Sequence, residues 1–145
     1  MPAANHTPRD LSYVKLYLTL PLILSAFERD KKIAETTFKT PQPYIELINE
    51  AIKRVEIDIK EVRRVMRTLG IKVYEEQLTD KGIEAKYLCR GYHHHFGMLT
   101  GFLVAESSVL MEKYLGIDVI AKYINRYDPS NIPSGQVAQN HLNIQ

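Results

Sequence analysis

The chain has 145 residues, 45% of them hydrophobic and 25% charged, with a formal net charge of +2. That length holds one domain with a real core, and the composition excludes a disordered or membrane-dominated chain. The small net charge excludes a nucleic-acid argument from bulk charge, and the single cysteine, Cys89, excludes an internal disulfide and points to a reducing compartment.

Helix signals open the chain. Thr7-Pro8-Arg9-Asp10 places a hydroxyl at N-cap, proline at N1 and a carboxylate at N3. Thr19-Leu20-Pro21 repeats a weaker version, and Thr40-Pro41-Gln42-Pro43 is a third. Together they predict helices near 8–18, near 20–36 and from about 41. Val14, Leu16, Leu18 and Leu20 also alternate as a strand would. The most apolar stretch, Leu11 to Phe27, has 17 residues and contains Lys15, Ser12, Thr19, Ser25 and Pro21. It is short and polar for a membrane span, and no clean cleavage site follows it. A cytoplasmic protein with no membrane partner is the expectation.

The third segment carries the strongest pattern. Ile45, Ile48, Ile52, Val55, Ile59, Val62, Met66 and Leu69 step by alternating threes and fours, an unbroken heptad seam. No Gly or Pro interrupts it before Gly70, which suits a helix C-terminus. One continuous helix over about 42–69, roughly 40 Å long, is predicted. It is either the spine of a single-chain core or a coiled coil, with Ala51, Ile57 and Val65 widening its apolar surface.

After Gly70 the period changes to two. Ile71–Tyr74 and Ile83–Leu88 read as strands around the turn Thr79-Asp80-Lys81-Gly82, which predicts a β-hairpin at about 71–92. If Leu78 faces Ile83, then Tyr74, Leu78, Ile83, Ala85, Tyr87 and Cys89 share one face, and Glu75 opposes Lys86 on the other. A helical pattern returns over 98–115, apolar nearly all round, followed by a short helix through Val119, Ile120, Tyr123 and Ile124. From 128 to 145 the chain reads as a loose polar tail, available to a protein partner. The expected fold is mainly α with one hairpin: a helical bundle around a long central helix, in a single domain over 1–127.

Two residue sets bear on function. Lys53, Lys60 and Arg67 recur every seven residues opposite the seam, Arg63 and Arg64 join them, and Lys72, Lys81 and Lys86 follow on the hairpin. Such a stripe can hold a phosphate backbone. Glu50, Glu56, Asp58, Glu61, Glu75 and Glu76 dilute it, as on an ordinary solvated helix face. The order of elements resembles a winged-helix DNA-binding domain with a dimerising helix, although that architecture needs a break near Glu56-Ile57-Asp58. The second set is Cys89-Arg90-Gly91-Tyr92-His93-His94-His95. On a strand His93 and His95 share a face about 7 Å apart, but Cys89 is roughly 13 Å from His93. His93 and His95 are therefore only weak metal candidates, and no bound metal or other cofactor is expected.

Glycine-loop, nucleophile-elbow, His-Glu-x-x-His and Cys-x-x-Cys signatures are missing, so no enzyme activity is expected. The expectation is a small nucleic-acid-binding regulator of bacterial or phage type acting on double-stranded DNA. The alternative is a homodimeric adaptor or inhibitor without a nucleic-acid role. Either pairs through the 98–115 helix, with Phe102, Val104, Val109, Met111 and Leu115 at the interface.

Overall fold

The structure, a computed structural model, describes residues 6–124. Helix α1 spans Pro8–Thr37 and α2 spans Gln42–Leu69. Strands β1 (Ile71–Leu78), β2 (Gly82–Cys89) and β3 (Tyr92–Leu99) follow, then α3 (Thr100–Tyr114) and a π-helical turn at Ile120–Ile124. The fold is mainly α, with a small antiparallel sheet between the second and third helices. The polar segment 128–145 lies outside the described residues.

The capping signal at the start of α1 is realised as a capping box. The Asp10 amide donates to the Thr7 hydroxyl at 3.2 Å, and the Thr7 amide donates to the Asp10 carboxylate at 2.8 Å. The expected pair of helices near 8–18 and 20–36 is corrected to one helix, with Pro21 inside it. Proline there removes the hydrogen bond to the Tyr17 carbonyl, a cost of about 3 kcal/mol in an isolated helix. Leu18, Thr19, Leu20 and Ile23 on either side are all buried and hold the helix through the defect. Thr19 lies inside the helix and caps nothing; its hydroxyl donates to the Lys15 carbonyl at 2.9 Å. By length and composition α1 is apolar enough to cross a membrane. Within this fold its Val14, Leu18, Leu20, Ile23 and Phe27 build the core.

Helix α2 is continuous from Gln42 to Leu69, and Gly70 ends it in the left-handed conformation at φ 71°. With no break near Glu56-Ile57-Asp58, the winged-helix order is ruled out as the arrangement of this chain. The heptad seam is used internally: Val55, Val62 and Met66 are buried against α1, and Ile48, Ile52, Ile59 and Leu69 pack on the same core. The short connection makes α1 and α2 an antiparallel helical hairpin.

The expected two-stranded hairpin is corrected to a three-stranded sheet in the order β1-β2-β3, the third strand holding the histidine run. Leu78 does pair with Ile83, and Glu75 with Lys86. A bulge between Val73 and Glu75 then shifts the register by one. Tyr74 leaves the inner face, and Val73 and Ile71 take the places opposite Tyr87 and Cys89. Ile71, Ile83, Ala85, Tyr87, Cys89 and Met98 are buried under the helices. The β2–β3 turn uses Arg90 at φ 48° and Gly91 at φ 87°, two successive left-handed residues as a tight hairpin requires. The expected helix start at Met98 moves to Thr100, because β3 runs on to pair Leu99 with Gly82.

Candidate functional site

Two of the four helical cations nearest the sheet converge. Arg63 and Arg67 of α2 and Lys72 of β1 line a shallow depression of about 280 Å³ around Tyr17, and all three are exposed. Lys60 is also exposed on α2. Other members of the expected set are engaged: Lys53 with Glu50 at 3.4 Å, Lys86 with Glu75 at 3.2 Å, and Arg64 with Glu61 through its Nε at 3.0 Å. The Arg64 guanidinium holds the Glu61 carboxyl below its ordinary range. Lys81 sits in the β1–β2 turn, roughly 23 Å along the hairpin from Lys72. The eight residues therefore do not form one surface; three of them do.

The histidines divide by strand parity. His93 and His95 lie on the outer face, where His93 Nδ1 is 2.9 Å from the Tyr74 hydroxyl and His95 is 3.7 Å from Glu84. Among the described residues no group of three or more His, Cys, Asp or Glu is placed to hold a metal ion. His94 faces inward, its ring stacked on Tyr87 at 5.4 Å and on His6 at 4.3 Å. His6 Nε2 is 2.7 Å from the Tyr87 hydroxyl.

Beside this stack is an ion pair that sequence reasoning did not single out. Arg90 reaches from the β2–β3 turn to Asp10 at the start of α1, with Nη2 donating to Oδ2 at 2.6 Å. It also donates to the Leu69 carbonyl at 2.8 Å, closing the end of α2. Asp10 is 2% exposed. The Arg90 hydrogen bond outweighs burial and lowers the Asp10 carboxyl to about 2. Burial, with Asp10 nearby, pushes the Cys89 thiol up, so this buried cysteine is a poor nucleophile. Asp10 is legible in the sequence as a cap, but nothing local announces its partner.

The third surface is α3. Phe102 and Val104 are 61% and 59% exposed, and Leu99 just before the helix is 75% exposed. Between α1 and α3 runs an open groove of about 530 Å³, with Leu16, Thr19, Phe102, Ala105, Val109 and Leu110 along it. Lys15 crosses it to Glu106 at 2.8 Å. Of the expected interface, Val109 is half-buried in this groove, while Met111 and Leu115 pack on the core. Burial and a hydrogen bond to Asp58 at 2.6 Å both push the Tyr114 hydroxyl up, tying the end of α3 to α2.

The model of the YhjD protein family matches residues 5–119. A relative from Bacillus subtilis (strain 168), named "Uncharacterized protein YhjD", is 29% identical over 116 residues, which cover 79% of this chain and 95% of the relative. No solved structure matches the chain.

Proposed function

We propose that this chain, which belongs to the YhjD protein family, is a small self-associating interaction module that pairs through α3. The observation that carries this reading is the exposure of Phe102 on the rim of the α1–α3 groove, with Val104 exposed on the other flank of the same helix. Fully burying such side chains is worth about 1.5–3 kcal/mol each. A second copy presents the same exposed Phe102 and the same groove, and two-fold pairing is the default for a self-complementary surface. The buried, free Cys89 suits a reducing compartment, and a cytoplasmic location belongs to the same reading.

Light scattering tests the pairing. Two chains of 16.7 kDa give a mass of about 33 kDa, whereas a concentration-independent mass near 16.7 kDa ends the idea. Phe102→Glu is expected to split the pair while leaving the melting temperature of the monomer unchanged, because Phe102 lines the groove and lies outside the core.

The convergence of Arg63, Arg67 and Lys72 favours a second reading, a nucleic-acid-binding regulator of bacterial or phage type. It requires a mobility shift with double-stranded DNA at low salt. Replacing these three with Ala is expected to reduce the log–log salt slope by about one unit per lost phosphate contact. Arg64→Ala is expected to do less, since its guanidinium is engaged with Glu61. No shift at low salt with the wild-type chain rejects this reading.

A further inference from the structure

We propose that the stack of His6 on His94 is a proton-operated latch, docking the residue before α1 onto the sheet near neutral pH and releasing it in mild acid. The observations are geometric. His94 Nε2 is buried and has no hydrogen-bond partner among the described residues. The rings of His94, His6 and Tyr87 form a triangle, His94 lying 4.3 Å from His6 and 5.4 Å from Tyr87, with His6 and Tyr87 5.8 Å apart. His6 is held by that stack and by the Tyr87 hydroxyl at 2.7 Å.

A neutral imidazole leaves only one nitrogen lone pair unmet in this position. A protonated one places a charged N–H where nothing accepts it, and a desolvated charge costs far more than a desolvated lone pair. The groups around the ring do not relieve the charge. From the segment before α1 comes His6, from α1 Asp10, from β2 Tyr87 and Cys89, from the turn Arg90, and from β3 His93. The inward residues of β1, Ile71 and Val73, carry no charge. Asp10 is the sole carboxylate of this group, and it is already committed to Arg90 and the Thr7 amide. Burial, then the charges of His6 and Arg90, hold the His94 imidazole below its ordinary value.

Because the docked form disfavours the proton, docking is complete above the free imidazole range, near 6.5, and is lost as pH falls below it. His6 is the part that can leave. The first backbone bond of the helix starts at the Thr7 carbonyl, which accepts from the Leu11 amide, so His6 lies just outside the hydrogen-bonded ladder. The consequence is an acid-exposed patch of Tyr87 and His94 on the otherwise covered sheet face.

Imidazole NMR on the wild-type chain, titrated from pH 8 to 5, tests this. His94 is expected to titrate below the ordinary imidazole range. Cross-peaks between His6 and His94 are expected to vanish over that titration, while those between Tyr74 and His93 persist. Thermal melts give a second reading: wild type is expected to lose roughly 3–5 °C between pH 7.5 and 5.5, His94→Phe most of that dependence, and His95→Phe none of it. A His94 midpoint at or above the ordinary imidazole value, or a His6–His94 contact that survives protonation, overturns the latch. If His94→Phe does not fold, the wild-type titration decides alone.

Discussion

Arg90→Ala is expected to lower stability by roughly 3 kcal/mol, at the lower end for breaking a buried ion pair because the guanidinium is partly exposed. The loss comes from Asp10, which stays buried without its counter-charge, and from the Leu69 carbonyl, which loses its donor. Arg90→Lys is expected to fall between, since an ammonium cannot donate in a planar fork to both acceptors. Urea unfolding gives the size, and a double-mutant cycle with Asp10→Asn isolates the pair. The pair also sets an acid limit. Asp10 has a folded value of about 2 against an ordinary 3.8, so the stability it contributes is complete above about pH 4 and disappears as pH falls towards 2. Asp10→Asn is expected to start less stable and to lack this contribution to acid unfolding. Equal acid-induced losses in the two proteins between pH 4 and 2 would show that the pair does not act this way.

Gly82→Ala is expected to cost roughly 3 kcal/mol or more, because the added methyl meets backbone that cannot move aside alone. A Cβ at Gly82 would lie 2.1 Å from the Met98 carbonyl oxygen and 2.9 Å from the Leu99 Cα, at a φ of 153°. Relief requires β2 and β3 to separate where the sheet hands over to α3. The Thr100 amide, bonded to the Lys81 carbonyl at 3.0 Å, would be pulled with them. Gly91→Ala is the control. Its φ of 87° carries a conformational cost of about 1–2 kcal/mol, but nothing lies within 4 Å of the added carbon. Denaturant midpoints of the two variants measure the difference, and equal losses would mean that the steric argument at Gly82 is wrong.

What could be read from the residues in order is what depends on neighbours within a turn or two. The Thr7–Asp10 cap, the end of α2 at Gly70, the seam from Ile45 to Leu69 and the turn at 79–82 are of this kind. Each rests on a local hydrogen bond or a repeating apolar position. The pairings of Leu78 with Ile83 and of Glu75 with Lys86 followed from that turn.

The remainder needed partners far along the chain. Pro21 stays inside α1 because burial of its neighbours against α2 and the sheet outweighs one missing hydrogen bond. Strand β3 has no clear sequence signature because His94 on its inner side and Gly97 on its outer side blur the alternation that would mark it. The bulge at Tyr74 reflects competition for the space opposite Tyr87, which Val73 fills instead. Asp10 and Arg90 are 80 positions apart, and no spacing rule joins them. Local hydrogen-bonding and periodicity are encoded over a few residues, whereas burial and charge pairing are properties of the surface that meets each side chain. Only the packing of α1, α2 and the sheet around one core brings those surfaces together.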